Sequence, residues 1–204
     1  MRQIIAALSV TLDGFIEGPN GELDWAMADD EESWKEAFEL CDTVDTCLLG
    51  RVMYPGYEQY WLAVLANPRG PLPFSGQPAT KSEITYARWA DKVPHIVLST
   101  TLDKVAWKTT RIARDVDEIR RLKGQAGRNV YVVGGATLVS SLMNMGLIDE
   151  LRLTVHPLIL GGGKPLFKDV KQRHPLQLTR MKQFGSGKVR LTYGVSIAQP
   201  HVAA

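Results

Sequence analysis

The sequence is short of the features that mark several large protein classes. Of its 204 residues only two are cysteine, Cys41 and Cys47, with five residues between them. That spacing fits no zinc motif, and the pair reads as buried thiols of a reducing cytosol rather than as a disulfide. Neither sign of charge dominates: 24 Lys and Arg stand against 22 Asp and Glu, a formal net charge of +2. The basic residues are scattered and form no stripe, which argues against nucleic acid as a partner. No apolar run is long enough to cross a membrane. Residues 1–10 carry one basic residue and a short apolar run that Asp13 and Gly14 end, so they read as a β-strand and not as a signal peptide. These absences leave a cytoplasmic globular chain. With 45% hydrophobic residues, it has material for a single domain (1–204) with a substantial core.

What is present is organised around residues 130–139, Val-Tyr-Val-Val-Gly-Gly-Ala-Thr-Leu-Val. Four β-formers in a row predict a buried strand, after which the chain turns at a glycine pair into a helix. Gly134 and Gly135 carry no Cβ, so a ligand can approach the backbone where the amides of a new helix point outward. That suits a phosphate or pyrophosphate. The pair is not a full Gly-x-Gly-x-x-Gly fingerprint, and a turn that needs glycine for sterics alone is the alternative. A second junction of this kind lies at Gly50-Arg51, between a short strand at 46–49 and a helix holding Tyr54, Tyr57 and Trp61. An arginine among helix N-terminal amides suits a phosphate monoester. A strand at 93–98 ends in Ser99-Thr100-Thr101, placing hydroxyls at a strand's carboxyl end, where open α/β sheets meet their ligands.

The remaining pattern fills in around these junctions. A first strand covers 3–10. The loop 11–25 has three glycines and a proline yet holds Phe15, Ile16 and Trp25, which suggests a lid. A helix over 29–40 starts at Asp29 and Asp30, whose charges suit a helix N-terminus, and carries Trp34 on its apolar stripe. Residues 67–78 contain four prolines and two glycines and take no regular structure. Helices are expected at 81–90, at 116–123 closed by Gly124, and at 137–145 stopped by Gly146. Strands are expected at 105–110 on an edge and at 147–157. A tight loop spans 160–167, and a hairpin (176–184 with 189–197) turns about 185–187. The expected fold is α/β, three-layered, with a mostly parallel sheet and an antiparallel C-terminal edge.

Two runs make the pattern more specific: Val133-Gly-Gly-Ala-Thr-Leu138, and Leu147-Ile-Asp-Glu-Leu-Arg-Leu-Thr-Val-His-Pro-Leu-Ile-Leu-Gly-Gly-Gly-Lys-Pro-Leu-Phe167. With the opening Ser9-Val-Thr-Leu-Asp-Gly-Phe-Ile16, they resemble the dihydrofolate reductase-like family. The resemblance is most specific to the reductase (C-terminal) domain of bifunctional riboflavin-biosynthesis deaminase/reductases and its stand-alone relatives. It covers residues 4–195 and leaves 67–80 unmatched, as a loop insertion, with 198–204 as a tail. It implies NADPH as cofactor. Ala7 and Ile16 would lie near the nicotinamide, Gly50 and Arg51 with Ser99 and Thr100 at the 2′-phosphate, and Gly134, Gly135, Ala136, Thr137 and Leu138 at the pyrophosphate. It also implies a substrate site with Trp25, Asp30, Trp34 and Tyr54, in which Asp30 follows Trp25 by five residues as the pterin-anchoring acid does in dihydrofolate reductases. Asp24 replaces the usual proline before that tryptophan, and Ala136 replaces the third glycine of the dihydrofolate reductase triplet. No deaminase signature (His-x-Glu with Pro-Cys-x-x-Cys) occurs.

The expected activity is hydride transfer from NADPH to a C=N or C=O group of a pterin-like or pyrimidine-like ring, of the dihydrofolate or ribosylaminopyrimidine type. Asp30 is the first candidate for orienting the ring and assisting protonation, and Asp13 the second. Each has a plain alternative, Asp30 as helix-start charge and Asp13 as turn residue, and His156 before Pro157 reads as structural. No metal is expected. A nucleotide-binding protein that lacks catalysis, and a purely structural homodimer module, are the competing functions. A homodimer is expected from the resemblance alone.

Overall fold

The computed structural model describes residues 1–26 and 30–196. The expected helix start at Asp29, the hairpin end at Ile197 and the 198–204 tail lie outside the described residues. In chain order the elements are β1 (Ile4–Thr11), β2 (Phe15–Glu17), α1 (Glu31–Cys41), β3 (Val44–Gly50), α2 (Tyr54–Ala66), α3 (Lys81–Ala90), β4 (His95–Leu98) and β5 (Thr110–Ala113). Next come α4 (Asp117–Gly124), β6 (Asn129–Gly134), α5 (Ala136–Asn144), β7 (Glu150–His156), β8 (Lys164–Pro165), β9 (Leu176–Gln183) and β10 (Val189–Val195). Eight strands make a mostly parallel sheet with an antiparallel edge, and β2 pairs with β8 in a small sheet of its own. The fold class is the expected α/β. The chain divides into two compact units, one of residues 30–135 with Met1 and Arg2, the other of residues 3–26 with 136–196.

In the first unit the strands run β5-β4-β3-β6, all parallel. The expected central strand is β6. Val130 and Val132 are fully buried, and Tyr131 and Val133 pack half-buried against an aromatic core, so both faces are covered. That core gathers Cys41, Cys47, Tyr54, Tyr57, Tyr86 and Trp107. Both cysteines are free and buried; burial pushes the Cys41 thiol up to about 12 and the Cys47 thiol upward as well, so both stay protonated. Local signals place the helices. Thr80 Oγ1 accepts the Glu83 amide while the Thr80 amide donates to Glu83 Oε2, a capping box that starts α3 where expected. The irregular 67–80 stretch is held by Leu72, which is buried with Tyr60, Val64 and Ala87.

The expected edge strand at 105–110 is a correction. The strand is β5, at Thr110–Ala113, and residues 105–109 form no ladder. Glu58 Oε1 accepts the amides of Ala106 (2.7 Å) and Trp107 (2.8 Å), and the indole of Trp107 sinks into the core. A carboxylate from α2 thus takes the donors that a strand ladder would have used.

His95, at the start of β4, is fully buried between Tyr57 and Trp107, and burial lowers its pKa to about 4. Its folded pKa lies below the ordinary 6.5, so between about 6.5 and about 4 the unfolded chain binds more protons. The contribution is therefore fully present above about 6.5 and is lost as pH falls toward about 4. The expected loss is roughly 3 kcal/mol across that window. Urea unfolding at a neutral and an acid pH should show it in the wild type and a flatter slope in His95→Gln; equal slopes would refute it.

In the second unit β1 pairs with β7 in parallel, β7 with β10 antiparallel, and β10 with β9 antiparallel. Helix α5 stops before Gly146, whose φ of +63° is the left-handed turn that glycine adopts at low cost. Strand β9 is the antiparallel edge, exposing Leu176, Leu178 and Met181. Among the described residues no helix is long and apolar enough to cross a membrane.

Candidate active site

The first unit brings its predicted residues together through strand register. Cα pairing aligns Ala113 with Leu98, Leu98 with Gly50, and Leu49 with Gly134, so β5, β4, β3 and β6 end at one level. Just beyond those four ends, in the same order, stand Arg114, Ser99-Thr100, Arg51 and Gly135. In open α/β sheets this carboxyl edge is where ligands sit.

Each position has its own local cause. Gly134 (φ +154°) and Gly135 (φ +100°) take backbone conformations that disfavour side chains. A Cβ added at Gly135 would meet nothing within 4 Å, so the backbone there faces open space that a ligand can enter. Arg51 is exposed, in a turn ahead of α2 rather than at its first residue, because Pro55 and the helix start fall three to four residues later. Ser99 is buried, and its Oγ accepts the amides of Thr101 (3.2 Å) and Leu102 (2.8 Å), which fixes the turn. Thr100 is exposed and is the member of the pair left open to solvent.

Arg114 is a residue that sequence reasoning does not single out. It is exposed, its Nη1 donates to the Ser99 carbonyl at 3.1 Å, and its amide donates to Glu118. The edge therefore carries two guanidinium groups, which suits a dianionic phosphate better than one.

The expected substrate residues of this unit are held by structural contacts. Asp30 is the N-cap of α1: Oδ1 accepts the amides of Glu32 (2.9 Å) and Ser33 (3.1 Å), and Oδ2 accepts the Ser33 hydroxyl. Trp34 is half-buried and stacked on Phe38 at 5.7 Å. Tyr54 is buried, and its hydroxyl donates to Glu58.

In the second unit, β1 and β7 end together, Thr11 opposite His156. Trp25 meets His156 edge-on, with centroids 5.1 Å apart at 83°. Ala7 and Ile16 are half-buried; Ala136 and Leu138 are buried at the start of α5, and Thr137 is exposed. Asp13 is exposed, and its carboxylate is held down to about 2, chiefly by the Thr11 hydroxyl and then by the amides of Gly161 and Leu160. A group held so firmly ionised is a poor proton donor near neutral pH. Among the described residues no three His, Cys, Asp or Glu side chains are grouped to hold a metal.

Comparison with known structures agrees with this architecture. A dihydrofolate reductase from Enterococcus faecalis, complexed with NADP(H) and RAB-propyl, matches with a TM-score of 0.60 over 96% of this chain and 97% of that one, at 18% identity. A Shewanella protein provisionally assigned to riboflavin biosynthesis matches with a TM-score of 0.67 over 97% of this chain and all of the other, at 23% identity. The fold is dihydrofolate reductase-like. The family is narrower than the fold: the RibD C-terminal domain model matches residues 2–189, and the uncharacterized Bacillus subtilis protein YyaP is 36% identical over 94% of both chains. The chain belongs to the RibD C-terminal domain family of dihydrofolate reductase-like reductases.

Proposed function

We propose that this protein is an NADPH-dependent reductase acting on a pterin-like or pyrimidine-like small molecule, of the dihydrofolate or ribosylaminopyrimidine type, and that it works as a homodimer in the cytoplasm. The observation that carries the cofactor reading is the carboxyl edge of the first unit, where Arg51, Arg114, Thr100 and the open backbone at Gly135 follow strands that end level. When bound, NADPH supplies the hydride. The two guanidinium groups and the Thr100 hydroxyl hold the 2′-phosphate, and the glycine pair lets the pyrophosphate reach main-chain amides running on into Ala136, Thr137 and Leu138. The resemblance assigns Ala7 and Ile16 to the nicotinamide and Trp25 to the substrate. Asp30, at the cap of α1, accepts a ring N–H and orients the ring, and the proton for the reduced heteroatom comes through water.

A titration of tryptophan fluorescence with NADPH and, separately, NADH tests this. The expected result is quenching by both, with the NADPH Kd about tenfold or more below that of NADH, a difference of at least about 1.4 kcal/mol. Binding of neither nucleotide would overturn it. One observation favours a second reading, nucleotide binding without reduction: both candidate carboxylates, Asp13 and Asp30, already serve backbone amides. NADPH that binds but is never oxidised by dihydrofolate or a riboflavin-pathway pyrimidine would decide for it.

A further inference from the structure

Phe74 stands at the tip of the proline-rich 67–80 stretch. Among the described residues it is the only non-glycine with a left-handed backbone, at φ +68°. A bulky side chain in that region is strained. The residue is 74% exposed, so burial does little to offset the strain.

The loop around it holds the strain in place. Leu72, two residues earlier, is buried with Tyr60 and Val64. The Leu72 amide donates to the Gln77 carbonyl at 3.0 Å, and the Gly76 amide donates back to the Leu72 carbonyl at 2.9 Å. Ser75 N donates to Pro73 O at 2.8 Å, and Ala79 N closes the base on Pro68 O at 2.9 Å. A tip bonded at this many points keeps one conformation, and that conformation presents a phenyl ring to solvent.

The ring has a definite seat within the first unit. It stacks on Tyr60 with centroids 6.4 Å apart and planes 24° off parallel. A Cβ added at Gly56 would come 3.9 Å from Phe74 Cζ, so the ring reaches the α2 surface where no side chain stands. Met53, at the N-cap, Gly56 and Tyr60 recur at i, i+3 and i+7 and share one face of α2. Just before Met53 come the exposed Val52 and the exposed Arg51 of the carboxyl edge. Apolar residues thus lead from Arg51 along α2 to Phe74.

We propose that Phe74 is a stacking platform for a planar heteroaromatic ring of the ligand held at this edge, and so a specificity residue. Its exposed phenyl offers the flat π-surface that such rings stack on, and the fixed tip removes the cost of ordering it. The proposal rests on the reading that ligand binds at the carboxyl edge of the first unit. Two rings have this chemistry, the adenine of the nucleotide and the ring of the substrate.

Calorimetric titration with adenosine 2′,5′-bisphosphate and, separately, with dihydrofolate compares wild type, Phe74→Gly and Phe74→Tyr. Phe74→Gly is expected to weaken one probe about tenfold or more and to leave the other within about twofold. Loss confined to the bisphosphate assigns the platform to adenine, and loss confined to dihydrofolate assigns it to the substrate ring. Phe74→Tyr keeps a ring and should restore the affinity. Glycine adopts φ +68° freely, so Phe74→Gly should unfold in urea at the wild-type midpoint or above it. A marked fall in the midpoint would make the ring a structural cap on Tyr60 and overturn the proposal. Unchanged affinities in Phe74→Gly, equal weakening of both probes, or binding of neither by the wild type would overturn it as well. Dihydrofolate binding that depends on Phe74, with no binding of the bisphosphate, would sink the cofactor reading and leave the platform standing.

Discussion

Replacing Trp107 with alanine is expected to cost about 3–5 kcal/mol, the range for removing a large aromatic from a packed core. The side chain is 2% exposed. Its ring stacks on His95 at 4.9 Å and on Tyr57 at 5.9 Å, and its Nε1 donates to Asp91 at 2.9 Å. The Tyr57 hydroxyl in turn lies 3.1 Å from that of Tyr86 and 3.2 Å from His95 Nε2, so the cavity opens beside a buried polar network that has little room to collapse. For a chain of this size such a loss lowers Tm by roughly 10 °C or more. Trp107→Phe keeps most of the stack and drops the indole donor, so it should cost only about 1–2 kcal/mol. Urea unfolding of both variants checks the pair. An alanine variant within about 1 kcal/mol of wild type would mean that residues 105–109 are not anchored by this ring.

The elements that local sequence specifies are legible in it, and those set by distant partners are not. Strand β6 and helix α3 read near their observed bounds, since each carries its own signal: consecutive β-formers in one case, an apolar stripe opening on a cap in the other. The 105–110 stretch has strand-like composition, yet Glu58, some 48 residues earlier, takes its amides. Trp107 is invisible as a core residue because a lone tryptophan in so short a stretch has no periodicity to declare it. At the candidate site, Gly50, Arg51, Gly134 and Gly135 announce themselves by residue type. Arg114 has no such signal: the edge strand before it ends in Ile112-Ala113, with no glycine or hydroxyl at the junction, and only the parallel register of β5 with β4 brings it to Ser99. Asp13 and Asp30 read as carboxylates with two possible uses each. Their hydrogen bonds lie in the cap of α1 and in the 158–166 segment, and spacing alone cannot place the second of these.

Removing both arginines at the strand ends, as Arg51→Ala with Arg114→Ala, is expected to raise the NADPH Kd about a hundredfold and to leave NADH within about twofold. A charge-assisted contact of a guanidinium to a phosphate is worth roughly 1.5–3 kcal/mol. On the proposed reading the two share one phosphate, so the single changes are not expected to add strictly, and each alone should weaken NADPH about tenfold or more. Arg51 is exposed, and among the described residues it makes no ion pair, so its loss should leave the fold intact. Arg114 also steadies the Ser99 carbonyl, and Arg114→Lys separates the two roles: it keeps the charge but loses the fork, and should recover part of the NADPH preference. Raising ionic strength should narrow the gap between the two nucleotides in the wild type and have little effect in the double variant, because exposed charges are screened over about 10 Å at moderate salt. If both nucleotides weaken equally, the arginines hold something common to both, such as the pyrophosphate, and the carboxyl edge of β3–β5 is not what selects the phosphorylated cofactor.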